Sequence, residues 1–193
     1  MARPREFNET QVIDLAMRRF WSHGYEATSI GDLCAATGLN RSSLYRAFGS
    51  KRELLDLALD AYESQAAERL AALLDRHRPI QEGLRRFLLG AFDDGGDAHG
   101  RWGCLVGNCT NELAARDPAA QARLRRSLAA IENVLAAALA RAQAAGEISA
   151  ATDNRALARF LTAQAQGVRL VAKTQPKREV LDDIVATALS LLT

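Results

Sequence analysis

Apolar residues recur at intervals of three and four along most of the chain, which is the spacing of one face of an α-helix. The clearest run begins at Leu124 and continues through Leu128, Ile131 and Leu135 to Leu139. Proline and glycine are few and fall mostly between such runs, where they end helices rather than interrupt them. The pattern therefore predicts an all-α fold whose helices each have at least one apolar face.

Capping signals divide this pattern into nine predicted helices, three short ones followed by six longer ones. Asn8, Ser29, Asn40 and Ser50 each precede an apolar run, and Asp117-Pro118 is a strong helix start. We expect the short helices to form a head and the longer ones a C-terminal bundle. The predicted helices cover residues 8–24, 29–38, 40–49, 50–77, 80–92, 103–115, 117–146, 153–174 and 177–192.

Composition excludes several classes of protein. The 193 residues are 48% hydrophobic and 25% charged, which is ordinary for a globular chain and not for a disordered one. No apolar run approaches the ~20 residues that span a bilayer, and no secretory signal is evident. Three cysteines make a disulfide scaffold improbable, so we expect a cytoplasmic protein with reduced thiols. The three histidines have no metal-ligand spacing, and we expect neither a metal ion nor a cofactor.

Charge is distributed unevenly, although the net charge is only +2. Residues 1–52 carry eight Lys or Arg against five Asp or Glu, while the rest of the chain is close to neutral. A small basic head on a neutral body is consistent with a nucleic-acid contact, although a solvated helix face would look similar.

Residues 28–48 predict two short helices joined by a tight turn. Ala35 and Ala36 are small enough for a close helix crossing, and Gly38 can adopt the positive φ that the turn needs. Leu44 and Phe48, four residues apart, define a core-facing side of the second helix. Its other side is polar and matches the base-reading side of a DNA-binding helix-turn-helix. The residues on that side are Arg41, Ser42, Ser43, Tyr45 and Arg46.

The same region resembles the TetR family of transcriptional regulators, strongly over residues of about 8–60. The preceding helix also fits the family pattern, with Ala16, Phe20, Gly24 and Tyr25. One departure is Ala47, where the family often has His, which removes one phosphate contact. The other matching residues are Thr28, Ile30, Leu33, Ala36, Gly38, Leu39, Ser43, Leu44, Tyr45, Phe48, Ser50, Lys51 and Leu54.

The resemblance implies a repressor that binds a palindromic operator as a dimer and is released by a small-molecule or redox signal. It assigns residues 1–52 to DNA binding and residues 53–193 to effector binding and dimerisation. Arg41, Ser42, Ser43 and Arg46 are expected at base edges or nearby phosphates, with Arg41 the best candidate for a guanine. Tyr45, Lys51 and Thr28 are expected to hold the DNA backbone.

The last two predicted helices are apolar on more than one face. The extra apolar residues indicate helices that are either central in the bundle or buried against another subunit. The resemblance favours a homodimer through residues 153–174 and 177–192, and a charge at Leu181 or Val185 is then expected to dissociate it or to lower expression. The extra residues are Leu170, Leu181, Val185, Leu189 and Leu192.

The segment from Arg101 to Leu113 resembles the "G-C-L-x-x-N" segment of one TetR subset, some of whose members sense oxidants or electrophiles through a cysteine. Cys104 opens a predicted helix close in sequence to His99 and Arg101, which favours a thiolate. The alternative is that Cys104 is a small buried apolar residue. Five further residues are candidates for lining an effector pocket together with Cys104. They are Trp102, Asn108, Asn111, Gln164 and Arg169.

Two other functions compete with this prediction. An enzyme could use Cys104 and His99 as nucleophile and base, but no third orienting residue, phosphate loop or paired carboxylates are evident, and we expect no enzymatic activity. An all-α protein-interaction module would explain the apolar terminal helices, but it leaves the polar face of the third helix unexplained.

Overall fold

The computed structural model describes residues 7–93 and 102–192, and within these ranges it is all-helical, with no strand. No described helix is long and apolar enough to cross a membrane. The elements are α1 (Glu9–His23), α2 (Ile30–Thr37), α3 (Arg41–Phe48), α4 (Lys51–Arg76), α5 (Ile80–Asp93), α6 (Leu105–Leu113), α7 (Pro118–Ala144), α8 (Asn154–Ala172), α9 (Arg178–Leu189) and a final 3₁₀ turn, Ser190–Leu192.

The short helices begin at the predicted caps. The side chains of Asn8, Ser29 and Asn40 accept hydrogen bonds from backbone amides in the first turns of α1, α2 and α3. Gly38 ends α2 at a φ of 72°, the left-handed conformation that glycine adopts without strain. Local signals therefore determine where the head turns, as the sequence predicts.

Two hydrophobic clusters hold the chain together. The first, which we call the head cluster, contains the buried sides of α1, α2 and α3 with the first half of α4. It also contains α6 and the start of α7, including Leu105 and Leu124. The head thus packs directly on part of the body, and α4 is shared between them. The boundary after residue 52 remains a prediction.

The second cluster, which we call the bundle cluster, joins the end of α4 to α5, the second half of α7, α8 and α9. Leu84, Leu135 and Leu161 are its fully buried centre. Burying each such leucine contributes on the order of 2 kcal/mol to folding. The predicted all-helical C-terminal domain is confirmed, and in the described ranges it comprises α4 to α9, of which α6 packs in the head cluster.

The structure corrects the assignment of apolar residues on the last two helices. Leu181, Val185 and Leu192 face the bundle cluster and are at most 2% exposed. A charge at Leu181 or Val185 would therefore unfold the protomer and not selectively separate two protomers. Leu170 and Leu191 are instead 62% and 58% exposed. Periodicity alone cannot tell which of two apolar faces a neighbouring helix covers.

Candidate DNA interface and ligand cavity

The third helix is anchored through one side and open on the other. Leu44 and Phe48 are buried in the head cluster, as their spacing predicts. Arg41, Ser42 and Arg46 are exposed on the opposite side. No ion pair engages Arg41 or Arg46 within the described residues. The helix therefore presents two available guanidinium groups next to hydroxyl groups.

Two further predicted DNA contacts lie at the edges of this side. Tyr45 is 44% exposed, so its hydroxyl is accessible to a ligand on the same side of α3. Ser43 is half-buried, and its backbone amide donates to the cap residue Asn40 at 2.8 Å. The side chain of Tyr45 therefore extends further from the protein than that of Ser43.

Lys51 is oriented by an aromatic ring. Its Nζ lies 4.2 Å from the ring centroid of Tyr25, a cation–π arrangement. Burial raises the pKa of Tyr25, so the ring remains a neutral phenol at physiological pH. Lys51 is the first residue of α4, where the positive end of the helix dipole adds to its charge. The head thus places one oriented cation beside α3.

The structure does not support the predicted contact between Thr28 and the DNA backbone. Its side chain is fully buried, and its hydroxyl donates to the Gly24 carbonyl at 2.6 Å. Its backbone amide donates to the Tyr25 carbonyl at 3.2 Å. Both donors are therefore used inside the protein, where they brace the turn before α2. The structure contradicts a phosphate contact by this side chain, because the hydroxyl is enclosed.

A cavity of about 420 Å³ lies where the head meets the bundle. Its wall includes Met17 and Trp21 from α1, Tyr62 from α4, Phe87 from α5 and Arg169 from α8. This volume is within the range of small-molecule sites in proteins. Any molecule that occupies the cavity would touch the first helix of the head directly.

Trp21 connects the cavity to α6. Its ring packs edge-on against Tyr62 at 5.0 Å and Trp102 at 5.7 Å between centroids. Its Nε1 donates to the Gly103 carbonyl at 3.1 Å. Trp21 is therefore held by contacts that a ligand in the cavity would adjoin. Neither Trp21 nor Tyr62 is an obvious site residue in the sequence, because each also fits the helical apolar pattern.

Cys104 lies at the cavity but is buried. It is 9% exposed and caps α6, where Gly107 N donates to its Sγ at 3.5 Å. The Tyr62 hydroxyl lies 3.7 Å from the same sulfur atom. His99 and Arg101, proposed above as its polar neighbours, are outside the described residues. The alternative of a small buried residue is thus confirmed for Cys104, and access to its sulfur leads through the cavity.

Of the other candidate effector residues, Arg169 lines this cavity as predicted. Trp102, Asn108 and Asn111 instead border a separate, shallower recess on the outside of α6. Asn108 is already engaged there, since its Nδ2 donates to Trp102 O at 2.9 Å and its Oδ1 accepts from Lys173 Nζ at 2.6 Å. Gln164 is half-buried on α8 and lines neither hollow. The structure therefore separates residues that the sequence assigned to one pocket.

Polar contacts tie the body to the head on both sides of α6. Glu112 Oε2 accepts from the backbone amide of Glu26 at 2.9 Å, in the turn between α1 and α2. Gly24 makes room for this carboxylate, because a Cβ there would lie 2.5 Å from Glu112 Oε1. At the start of α7, Asp117 pairs with Arg52 of α4. These contacts join α6 and α7 to the helices of the head.

Within the described ranges, no group of three or more His, Cys, Asp or Glu is placed to hold a metal ion.

Comparison with known proteins agrees with this geometry. The family model "Bacterial regulatory proteins, tetR family" matches residues 12–58, and "Tetracyclin repressor-like, C-terminal domain" matches residues 82–188. The HTH-type transcriptional repressor ComR of Escherichia coli (strain K12) is 33% identical over 191 residues, 98% of this chain and 90% of that protein. The uncharacterized HTH-type transcriptional regulator YezE of Bacillus subtilis (strain 168) is 31% identical over 196 residues and 100% of both chains.

One solved structure shows a cysteine mutant of the TetR family regulator CifR complexed with 26-bp operator DNA. It matches this fold with a TM-score of 0.83 at 29% identity, over 100% of both chains. The matches cover both the head and the body. The chain therefore belongs to the TetR family of bacterial regulatory proteins and is a DNA-binding transcriptional regulator.

Proposed function

We propose that the protein is a homodimeric repressor that leaves a palindromic operator when a small molecule fills the cavity. One observation carries this proposal: the same two helices, α1 and α4, share the head cluster with the buried side of α3 and also line the cavity. A regulator of this kind acts in the cytoplasm, where the chromosome is. A catalytic role for Cys104 has no support, because its sulfur faces Tyr62 and not a base within the described residues.

The exposed side of α3 is assigned to the major groove. Arg41 is at the start of the helix, the end that meets base edges in helix-turn-helix proteins, and its guanidinium can bind guanine with two hydrogen bonds. Ser42 and Ser43 adjoin it. Arg46, Tyr45 and Lys51 follow at the edges and are assigned to the DNA backbone.

The outer side of α8 supplies the proposed dimer contact. Ala156, Phe160, Ala163, Gly167 and Leu170 form one stripe at helical spacing, and all but the half-buried Phe160 are exposed. No atom lies within 4 Å of where a Cβ on Gly167 would point. Small residues flanked by Phe160 and Leu170 suit the close packing of a second helix.

The last helix extends this surface. Val180 and Leu191 are 43% and 58% exposed on the outside of α9 and the turn that follows it. Two copies of the α8 and α9 outer faces would then form a four-helix interface around a two-fold axis. Such a dimer places two α3 helices in successive major grooves, about 34–36 Å apart.

The experiment that tests this proposal is selection of bound DNA from the region flanking the protein's own gene. The selected duplex is then compared with a duplex that keeps one half-site only. We expect two protomers per palindrome, a steep fall in affinity with salt, and much weaker binding to the half-site. Equal affinity for both duplexes would contradict the dimeric assignment, and no salt dependence would contradict DNA binding through the arginines.

A redox signal is the second candidate, favoured by the position of the Cys104 sulfur in the cavity wall. A mild electrophile that adds to this sulfur would fill the cavity covalently. Release of the parent protein from DNA, but not of Cys104→Ser, supports this signal. Cys34→Ser and Cys109→Ser are the controls; burial raises the pKa of the Cys109 thiol to about 12, so it stays protonated. Equal release by the parent and Cys104→Ser would leave the non-covalent ligand as the signal.

A further inference from the structure

The cavity wall carries more cationic than anionic side chains. Arg18 pairs with Asp14 at 2.9 Å, and Arg86 pairs with Glu82 at 2.6 Å. The carboxylate of Glu63 is also occupied. It accepts from Arg123 at 2.7 Å and from the Ser127 hydroxyl. The acidic groups at this wall are therefore already matched with cations or hydroxyl donors.

Two lining arginines remain outside these pairs. Neither Arg69 nor Arg169 lies within ion-pair distance of a carboxylate in the described part of the chain. Arg69 is exposed at the rim, where water can hydrate it. Arg169 is half-buried, and its Cζ lies 5.2 Å from the ring centroid of Phe87. The aromatic ring holds the guanidinium through its face and leaves the N–H donors along its edge.

Further hydrogen-bond donors accompany Arg169. Gln166, one turn earlier on α8, also lines the cavity. Among the described residues, the Tyr62 hydroxyl has the Cys104 sulfur as its acceptor, at 3.7 Å, which is a weak hydrogen bond. Burial raises the pKa of Tyr62, so its hydroxyl keeps its proton and can donate to a stronger acceptor. A cation and two neutral polar side chains thus line the same cavity.

Another part of the wall is apolar. Leu70 from α4, Phe87 from α5, and Leu128 and Ile131 from α7 border the same space. These side chains offer no hydrogen bonds and favour a ligand body that is hydrocarbon. The cavity of about 420 Å³ therefore combines the Arg169 guanidinium with an apolar surface.

We propose that the effector is a small organic anion, a carboxylate on a compact apolar body, whose carboxylate binds Arg169 while its body lies against the apolar wall. This assignment names the chemical class of the effector and rests on the proposed function of the cavity. A half-buried guanidinium gains most from an anion, because a planar carboxylate accepts two of its N–H groups at once. A neutral ligand of the same shape fills the cavity without that compensation.

The test compares acids and amides of identical shape by titration calorimetry without DNA. The probes are benzoate, phenylacetate and hexanoate, each paired with its amide. In the parent protein we expect at least one carboxylate to bind about tenfold or more tightly than its amide, as a charge-assisted bond predicts. If no carboxylate binds better than its amide, the proposed class is wrong.

Three variants assign the preference to Arg169. Arg169→Gln should remove the preference for the acid, whereas Arg169→Lys should retain part of it. Arg155→Gln is the matched control, because Arg155 lies on the same helix but pairs with Glu132, away from the cavity. Thermal unfolding of each unliganded variant verifies that it folds. An acid preference that survives in Arg169→Gln overturns the assignment.

Operator binding by the unliganded protein is measured separately, so the two proposals fail independently. A protein that binds its operator but has no acid preference retains its proposed function and loses this effector class. A protein with the acid preference but no operator binding retains this effector class and loses its proposed function.

Discussion

The exposed side of α3 and the wall of the cavity both present arginines outside any ion pair among the described residues, but in opposite surroundings. Arg41 and Arg46 are exposed to solvent. Arg169 is half-buried against Phe87 in a concave, largely apolar space. A hydrated guanidinium suits a polyanion whose binding depends on salt. A partly dehydrated guanidinium is more selective, because a poorly matched ligand leaves its N–H donors without hydrogen bonds.

The two regions are close enough to influence one another. The cavity wall includes α1, and the head cluster joins α1 to α3. Glu112 and Arg52 add polar links between the body and the head. A ligand therefore does not need a long pathway to alter the position of α3. The coupling required is modest, about 1–3 kcal/mol.

The largest expected effect tests the distinction between buried and exposed faces of the last two helices. Leu181→Asp buries an unpaired charge and should cost more than about 4 kcal/mol, so the protomer unfolds. Leu170→Asp should leave the protomer folded and separate the dimer. Circular dichroism and sedimentation of both variants check this. A folded, dimeric Leu181→Asp protein would contradict the burial of Leu181 in the bundle cluster. A dimeric Leu170→Asp protein would contradict the dimer interface proposed on α8.

The next effect concerns the exposed arginine of α3. Arg41→Ala should cost about 1–3 kcal/mol on the cognate operator and relax the preference at one base pair. The measurement is a binding titration against the operator and its single-base variants. A uniform loss over all sequences would reassign Arg41 from base reading to the DNA backbone.

Lys51→Ala is the companion to that variant. Lys51 is assigned to phosphate, so its removal should weaken binding to all sequences alike and reduce the salt slope by about 1. Glu68→Ala is the control, because Glu68 is exposed and lies 17 residues after Lys51 on the same helix. It should leave the salt dependence of binding unchanged. An unchanged slope for Lys51→Ala would remove it from the interface.

A smaller effect is expected at the link between α6 and the head. Glu112→Ala removes the acceptor for the Glu26 amide and should cost about 1–2 kcal/mol of stability, with weaker release by a cavity ligand. Glu26→Ala is the matched control, because the bond uses its backbone amide and survives. Differential scanning calorimetry and ligand-dependent operator binding measure the two effects. Identical behaviour of the two variants would show that this bond carries no coupling.

The smallest effect is on acid stability. The Ala120 amide and Arg52 hold the pKa of Asp117 below its ordinary value. A lowered folded-state pKa means that the carboxylate stabilises the fold above its unfolded pKa of about 4, and that this contribution is lost as pH falls through the folded value. We expect the melting temperature to fall less steeply below pH 4 in Asp117→Asn than in the parent. The exposed change Asp183→Asn should follow the parent.

The head could be predicted from the sequence because its determinants are local. Asn8, Ser29 and Asn40 cap the helices that they precede, and Leu44 and Phe48 are buried as their spacing requires. Thr28 escaped prediction, because a hydroxyl near a helix start can face DNA or brace its own turn. Only the three-dimensional course of the chain distinguishes these two uses.

The cavity could not be predicted in the same way. Its wall combines Arg169, which the sequence suggested, with residues as distant along the chain as Trp21 and Phe87, which also fit an ordinary helix pattern. The sequence grouped Trp102 and Asn108 with Cys104 because they are neighbours on the chain. Residues on one helix nevertheless point to different sides, and here they border two separate hollows.

The central claim is that filling the cavity lowers the affinity of the head for its operator. Ala66→Phe tests it without any ligand, because Ala66 of α4 lines the cavity and a phenyl ring there takes up its volume. Ala72→Phe, an exposed change on the same helix, is the matched control. The account predicts operator affinity lower by about tenfold or more in Ala66→Phe and unchanged in Ala72→Phe. Parent-like operator affinity in a folded, dimeric Ala66→Phe protein would contradict it.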